Sequence, residues 1–254
     1  MTGILYKTAL ITGAAQRIGR AVALRLARDG WAVAVHYNRS AEAALAVVDA
    51  IIAAGGQAVA LPADLAKEDE VLTLVPRAMD ALGPLGCLIN NASLFEHDTP
   101  LTSTRASWDA HMETNLRAPF VLTQSLAAQL PEDSEGLVIN IIDQRVWNLT
   151  PHFTTYTLSK AALWTLTQTL ALALAPRLRV NAIGPGPTLP SPRQTDAQFA
   201  QQCAAMPLRR GTSPDEIAEA VRFIIRSPSM TGQLIALDGG QHLCWAPANN
   251  LLEE

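Results

Sequence analysis

From its first residues the chain repeats one pattern, a short apolar run, a break and a stretch of helical periodicity, and few folds accommodate that alternation. Residues 7–11 form an apolar run ended by Thr12-Gly13, and residues 18–28 carry helical periodicity up to Gly30. Residues 31–37 resume as a continuous apolar strand, and Ser40 is placed to cap an alanine-rich helix that stops near Gly55-Gly56. The rhythm continues with strands over 57–61 and 87–90 around a helix over 68–82. A longer helix follows over about 104–129, which Pro119 should kink or split. A strand over 136–142, a helix running to about Ala175, a strand over 179–183, a helix opening at Ser213-Pro214 and a last strand over 234–237 complete the series. Strands that alternate with helices imply an α/β fold, a doubly wound parallel sheet of about seven strands with helices on both faces. At 254 residues the chain suits one domain over 1–254, and with 49% apolar but only 5% aromatic residues its interior is built from small aliphatic side chains.

One stretch departs from this rhythm. Residues 184–212 hold five prolines (Pro185, Pro187, Pro190, Pro192 and Pro207). A loop of this length inside a compact domain is more often functional than idle, which predicts a substrate lid.

The first break, Thr12-Gly-Ala-Ala-Gln-Arg-Ile-Gly19, lies between a strand and a helix, where backbone N–H groups and the helix dipole favour a dinucleotide pyrophosphate. Gly13 permits the tight turn and Gly19 the close approach of the helix. Arg17 stands where a glycine would let backbone touch phosphate, and its guanidinium can instead meet phosphate or a substrate. The second strand ends His36-Tyr-Asn-Arg-Ser40, with no acid between Asp29 and Glu42 to grip ribose hydroxyls. Arg39 and Ser40, with His36, suit a 2′-phosphate, so NADP(H) is expected over NAD(H); a merely polar turn would account for Asn38 but not for the missing acid. Asp64, after the third strand, is placed to accept from adenine N6, and Asn91-Ala-Ser93 lies at the carboxyl edge of the fourth.

Tyr156 and Lys160 share one helical face, and Asp143 precedes the tyrosine by thirteen residues. A phenol titrates near pKa ~10, so an ammonium one turn away is what would make it useful near neutrality. The spacing alone also fits an aromatic packed beside a solvated lysine; the cofactor turn is what favours an active site.

The formal net charge of −4, without a basic stripe, removes the footprint of a nucleic-acid binder and leaves a small-molecule partner. The three cysteines (Cys87, Cys203, Cys244) have no Cys-x-x-Cys spacing and the five histidines no metal-binding spacing, so neither disulfides nor a metal are expected. Without a secretion signal or an apolar run of about 18 residues, the expectation is a cytoplasmic protein off the membrane.

Together, Thr12-Gly13, Asn90-Asn-Ala92, Asn115, Tyr156-x-x-x-Lys160, Pro185-Gly186 and Asp238-Gly239-Gly240 resemble the short-chain dehydrogenase/reductase family over nearly the whole chain, which implies a Rossmann-like domain. The classical family carries glycine at Arg17 and Ser93 and serine at Asp143. Those departures, with Phe95 and the 36–40 run, resemble its pteridine reductase branch, relatives of which include dihydromonapterin and dihydrofolate reductases. The resemblance implies a heteroaromatic substrate that meets Arg17, Ser93, Phe95, Asp143 and Tyr156, with Phe95 stacked on a pterin opposite the nicotinamide; ordinary loop packing is the competing reading of Phe95. It implies cofactor contacts from Gly13, Arg17, Ile18, Gly19, His36, Tyr37, Asn38, Arg39, Ser40, Asp64, Leu65, Asn91, Ala92, Ser93, Tyr156, Lys160, Pro185, Gly186 and Thr188. Asp143, Tyr156, Lys160 and Asn115 are the implied catalytic set, Asn115 through a water toward Lys160.

The expected reaction is hydride transfer from NADPH to a dihydropterin or related ring. A general carbonyl reductase of the same family and a non-catalytic NADP-binding sensor are the rivals. Small apolar residues over 158–174 predict a homotetramer, since relatives assemble through this helix, against a helix doubly buried in the monomer. The tail after Gly240, with His242 and Trp245, is a candidate to close over its own site or a neighbour's.

Overall fold

The structure is a computed structural model that describes residues 4–244; Trp245 and the rest of the tail lie outside the described residues. Seven parallel strands lie in one sheet in the order β4 (Ala58–Pro62), β3 (Ala32–Tyr37), β2 (Thr8–Ile11), β5 (Cys87–Asn90), β6 (Ser134–Ile141), β7 (Leu178–Pro185) and β8 (Leu234–Leu237). An eighth strand not foreseen in the sequence, β1 (Ile4–Leu5), pairs with the amino end of β6. The order reverses between β2 and β5, and the carboxyl ends of these strands form the crevice in which such sheets bind ligands. The expected single Rossmann-like α/β domain is what the chain adopts.

Each face of the sheet is covered by helices through its own core. On one side α1 (Arg17–Arg28), α2 (Ala41–Ala53) and α8 (Pro214–Ile225) bury Val22, Leu26, Val47, Ile51, Val221 and Ile224 against β2, β3 and β6. On the other, α3 (Glu68–Leu82), α5 (Ala118–Gln129) and α6 (Thr154–Ala173) bury Leu74, Val75, Leu122, Leu126 and Leu170 against Leu10, Leu88 and Val180. The central strands are buried on both faces, which explains their continuous apolar runs. Among the described residues no helix is long and apolar enough to cross a membrane.

The long helix expected over 104–129 is interrupted, though not by a kink at Pro119. Between α4 (Arg105–Met112) and α5 lies a π turn, Glu113–Arg117, closed by a bond from the Ala118 N–H to the Glu113 carbonyl. Pro119 has no N–H to return to the carbonyl four residues earlier, so the strain is taken up in a widened turn before it. The 184–212 stretch also contains more order than its prolines suggest. It holds α7 (Asp196–Ala204), started by a reciprocal capping box between Thr195 and Gln198.

A buried polar chain fixes α6 on the sheet: Asn90 Nδ2 donates to Asn140 Oδ1 at 2.8 Å, and Asn140 Nδ2 donates to Thr167 Oγ1 at 2.9 Å. All three residues are buried, so removing the middle one leaves the Asn90 amide without a partner or water, while Thr167 keeps its bond to the Leu163 carbonyl. Asn140→Ala is expected to cost roughly 2–4 kcal/mol, from an unpaired buried amide and a small cavity. Urea unfolding of the variant checks this; a midpoint equal to the parent's would contradict it.

Candidate active site

The turn after β2 is held from below. Asn91 Nδ2 donates to the carbonyls of Thr12 and Gly13 at 2.9 and 3.1 Å, while Thr12 Oγ1 accepts from the N–H groups of Asn91 and Ala92. Gly13 lies in the left-handed region at φ +62°. A Cβ on Gly19 would come within 2.3 Å of the Gly13 carbonyl oxygen, so only glycine allows the helix to start so close to the strand. Helix α1 begins without a side-chain cap or an acid in its first turn, which leaves its leading N–H groups for an anion.

Arg17 has the backbone of the glycine it replaces, with φ +52°. Its guanidinium does not turn back to the turn: Nη1 and Nη2 donate to the carbonyls of Pro190 and Leu189 at 3.0 and 3.1 Å. The arginine therefore joins the turn to the 184–212 stretch, an arrangement that spacing alone does not reveal.

His36 is misplaced in the expected 2′-phosphate set. The residue is buried, its Nδ1 accepts from the Gly13 N–H at 3.0 Å, and Nε2 faces the Ala63 carbonyl at 3.1 Å. Both ring nitrogens are thus spent on backbone, and the pattern assigns a neutral ring protonated at Nε2. Its position inside β3, one residue before the exposed end, is the physical reason: it props the turn instead of facing solvent. Asn38 and Arg39 are exposed at the end of β3, and Ser40 starts α2 without a capping bond from its side chain. Asn38 Nδ2 donates to Asp64 Oδ1 at 3.3 Å, which ties the ends of β3 and β4. The Leu65 side chain belongs to the core beside α3, not to an open surface.

A cleft of about 270 Å³ opens beside this turn and brings together most of the remaining expected residues: Arg17, Ile18, Asn91, Ser93, Phe95, Asp143, Tyr156, Lys160, Pro185, Gly186 and Thr188. Tyr156 Oη donates to Asp143 Oδ2 at 2.8 Å, and Asp143 Oδ1 accepts from the Arg145 N–H at 2.8 Å. Lys160 Nζ donates to the Ile141 carbonyl at 2.9 Å and lies 5.8 Å from the centre of the Tyr156 ring. Burial pushes the Lys160 ammonium down to about 8, partly opposed by the charge of Asp143.

Asn115 sits inside the π turn, yet its amide is engaged by protein. Nδ2 donates to the Leu94 carbonyl and to Ser159 Oγ at 2.9 and 3.0 Å, and Oδ1 accepts from the Leu94 N–H at 2.8 Å. The side chain staples the 93–95 segment to α6.

Phe95 stacks on Phe153, with ring centres 4.4 Å apart and planes at 10°, and meets the Tyr156 ring edge-on at 4.6 Å. Phe153 was not singled out in the sequence, nor were Arg145 and Arg193, whose guanidiniums lie 5.1 Å from the centres of Phe153 and Phe95 respectively. The only sequence signal for Phe153 is its place three residues before Tyr156, which marks neighbours on a helix. Among the described residues no group of three or more His, Cys, Asp or Glu could hold a metal ion.

Burial holds the His36 imidazole down to about 4 from an ordinary 6.5, the bond to Ala63 partly opposing. Between those values the unfolded chain binds the extra proton, so His36 withdraws roughly 3 kcal/mol of stability as pH falls from about 6.5 through about 4. His36→Asn keeps an acceptor for the Gly13 N–H, so thermal denaturation across that window should fall less steeply with acid than for the parent. Identical slopes would remove the role assigned to His36.

Comparison with known proteins places the chain in a family. Residues 7–201 match the family model described as short chain dehydrogenase. The crystal structure of FolM alternative dihydrofolate reductase 1 from Brucella suis in complex with NADP is 50% identical, with a TM-score of 0.92 over 94% of this chain and 96% of that one. A short chain dehydrogenase from Burkholderia cenocepacia in complex with NADP is 35% identical, with a TM-score of 0.87 over 93% and 98%. A curated relative, 3-oxoacyl-(acyl-carrier-protein) reductase of Synechocystis sp., is 34% identical over 94% of this chain and 98% of its own length. The chain belongs to the short-chain dehydrogenase family.

Proposed function

We propose that this NADP(H)-dependent reductase acts on a flat, nitrogen-containing ring of the dihydropterin or dihydrofolate type. The observation that carries the reading is the 2.8 Å bond between Tyr156 and Asp143, at a position where the classical family has serine. A hydroxyl there suits a carbonyl oxygen, whereas a carboxylate suits the N–H donors on a heteroaromatic ring edge. The FolM alternative dihydrofolate reductase 1 structures, at 49–50% identity and in complex with NADP, support both the ring substrate and the cofactor.

The residues present fit NADP(H). The turn of Gly13 and Gly19 with the uncapped start of α1 suits the pyrophosphate, and exposed Arg39 with Ser40 suits a 2′-phosphate. Lys160, Asn91, Ile18, Pro185, Gly186 and Thr188 line the part of the cleft assigned to the nicotinamide and its ribose. When bound, NADPH supplies the hydride that reduces the ring carbon of a C=N bond.

The chain's own groups handle the proton. Tyr156 gives its hydroxyl proton to the ring nitrogen, directly or through one water, and recovers it from solvent. Asp143 holds the phenol in place and takes the ring N–H, while the Lys160 ammonium favours the phenolate that forms. Phe95 offers the ring a stacking partner beside Tyr156, and the 184–212 stretch, tethered through Arg17, serves as the lid.

The curated relatives named as 3-oxoacyl reductases favour the second reading, a carbonyl reductase. NADPH oxidation across a matched panel of dihydropterins, dihydrofolate and simple ketones separates the two. Dihydropterins or dihydrofolate should be reduced at least about tenfold faster in kcat/KM, a difference of about 1.4 kcal/mol; ketones reduced faster would overturn the proposal. Tyr156→Phe should bind NADPH normally and lose turnover by about 100-fold or more, the usual worth of a positioned proton donor.

Because burial brings the Lys160 ammonium to about 8, kcat/KM should decline above that pH as the charge is lost. A pH profile flat to about 10 would show that the ammonium is not required. Leu158 and Leu172 on α6 are exposed at 44% and 85%, so this helix is not doubly buried in the monomer; we infer a homotetramer with that face in an interface.

A further inference from the structure

Beneath the aromatic pair lies a buried polar cluster that the proposed chemistry does not use. Asp98, His111 and Thr155 are 4%, 0% and 0% exposed, and 57 residues separate the acid from the threonine. Helix α6 starts at Phe153 in a left-handed conformation, φ +59°, with no side-chain cap of its own. Asp98 supplies the missing cap from a distance: Oδ1 accepts from the Thr155 N–H at 3.1 Å, and Oδ2 accepts from Thr155 Oγ1 at 2.6 Å. Its main-chain carbonyl also accepts from the Phe153 N–H at 2.8 Å.

His111 completes the cluster from α4. Nε2 accepts from the Glu96 N–H at 3.2 Å, so the ring proton is on Nδ1, which lies 2.8 Å from Thr155 Oγ1 and 2.9 Å from the Ser107 carbonyl. The Thr155 hydroxyl therefore donates to Asp98 and shares the His111 Nδ1 proton with the Ser107 carbonyl. The bonds run in one direction only: reversing them would put the ring proton on Nε2, facing the Glu96 N–H, donor against donor.

This cluster joins three things that bear on the cleft: the segment 94–98 that carries Phe95, the Phe153 ring stacked on it, and the first turn of the helix that carries Tyr156. We propose that Asp98, Thr155 and His111 are positioning residues that set where a flat substrate ring lies relative to the Tyr156 hydroxyl. The inference rests on the ring-reductase reading for its substrate, though not for the network itself. Stacking and proton transfer both tolerate displacements of only about 0.5 Å, so a loosened platform costs substrate affinity before it costs the fold.

Thr155→Val removes the hydroxyl at constant shape, and Thr155→Ser restores it. Thr155→Val should raise KM for the dihydropterin or dihydrofolate by roughly tenfold and lower kcat by about tenfold as the ring drifts from the Tyr156 hydroxyl, with NADPH binding within about twofold. Thr155→Ser should return KM to near the parent value. Asp98→Asn, which sets an amide NH2 against either the Thr155 N–H or the Thr155 hydroxyl and so loses one of the two bonds whichever way it turns, should behave as Thr155→Val does and serves in its place if that variant does not fold. Unchanged KM in a folded variant, or NADPH binding that weakens in step with KM, would overturn the proposal. Amide exchange gives a readout independent of substrate: in the parent the Glu96 amide should be as protected as the first turn of α6, and in either variant residues 94–98 should exchange faster while α6 beyond its first turn keeps its protection. A parent Glu96 amide that exchanges freely would dismiss the network without any variant. If the parent reduces only ketones, the substrate reading fails, and the exchange data still decide the positioning role.

Discussion

Everything in the cleft depends on the junction where β2 and β5 part. Thr12 and Asn91 cross-bond the carboxyl ends of these strands, and His36 supports Gly13 from the third. That junction does two jobs with one set of bonds. It satisfies the polar groups of a buried turn, which could not otherwise leave the sheet without orphaned N–H and C=O groups. It also fixes the origin of α1, and with it the direction of the helix dipole into the crevice. The same residues that make the fold possible thereby suit the crevice to an anion.

The Asp143, Tyr156 and Lys160 arrangement shows how electrostatics and packing share the work. Lys160 is buried to 2% exposure, yet keeps a bond to the Ile141 carbonyl and the partial field of Asp143. Burial and carboxylate pull its proton affinity in opposite directions, and burial prevails. A lysine less enclosed would keep its charge to higher pH; one without the carboxylate would lose it sooner. The α6 helix that presents both groups is tied to the sheet by Asn90, Asn140 and Thr167, so the site's precision is inherited from the core.

The alternation of strands and helices was legible in the sequence because parallel strands buried on both faces read as unbroken apolar runs, and α3 and β5 coincide with the expected 68–82 and 87–90. Tyr156 and Lys160 were legible from their helical spacing, which sets both on the face that lines the cleft. What escaped was tertiary in origin. His36 reads as an exposed ligand until the pleat buries it beneath Gly13. The end of the 104–129 helix depends on how a proline's missing N–H is absorbed, which propensity does not specify. Phe153 and Asp98 have meaning only through partners 57 or 58 residues away. Arg17 reads as a ligand for phosphate or a substrate, and its bonds to carbonyls 172 and 173 residues further on are not signalled by its surroundings in the sequence.

Arg17 and Phe153 share a feature: each is a side-chain-bearing residue at positive φ beside the cleft. Such backbones disfavour β-branched residues most and glycine or asparagine least. Drift at position 17 therefore passes a narrow filter. Glycine relaxes the main chain and forfeits both carbonyl tethers; valine or isoleucine forfeits the tethers and adds strain. An arginine in place of glycine at this turn thus exchanges backbone ease for a strut to the 184–212 stretch.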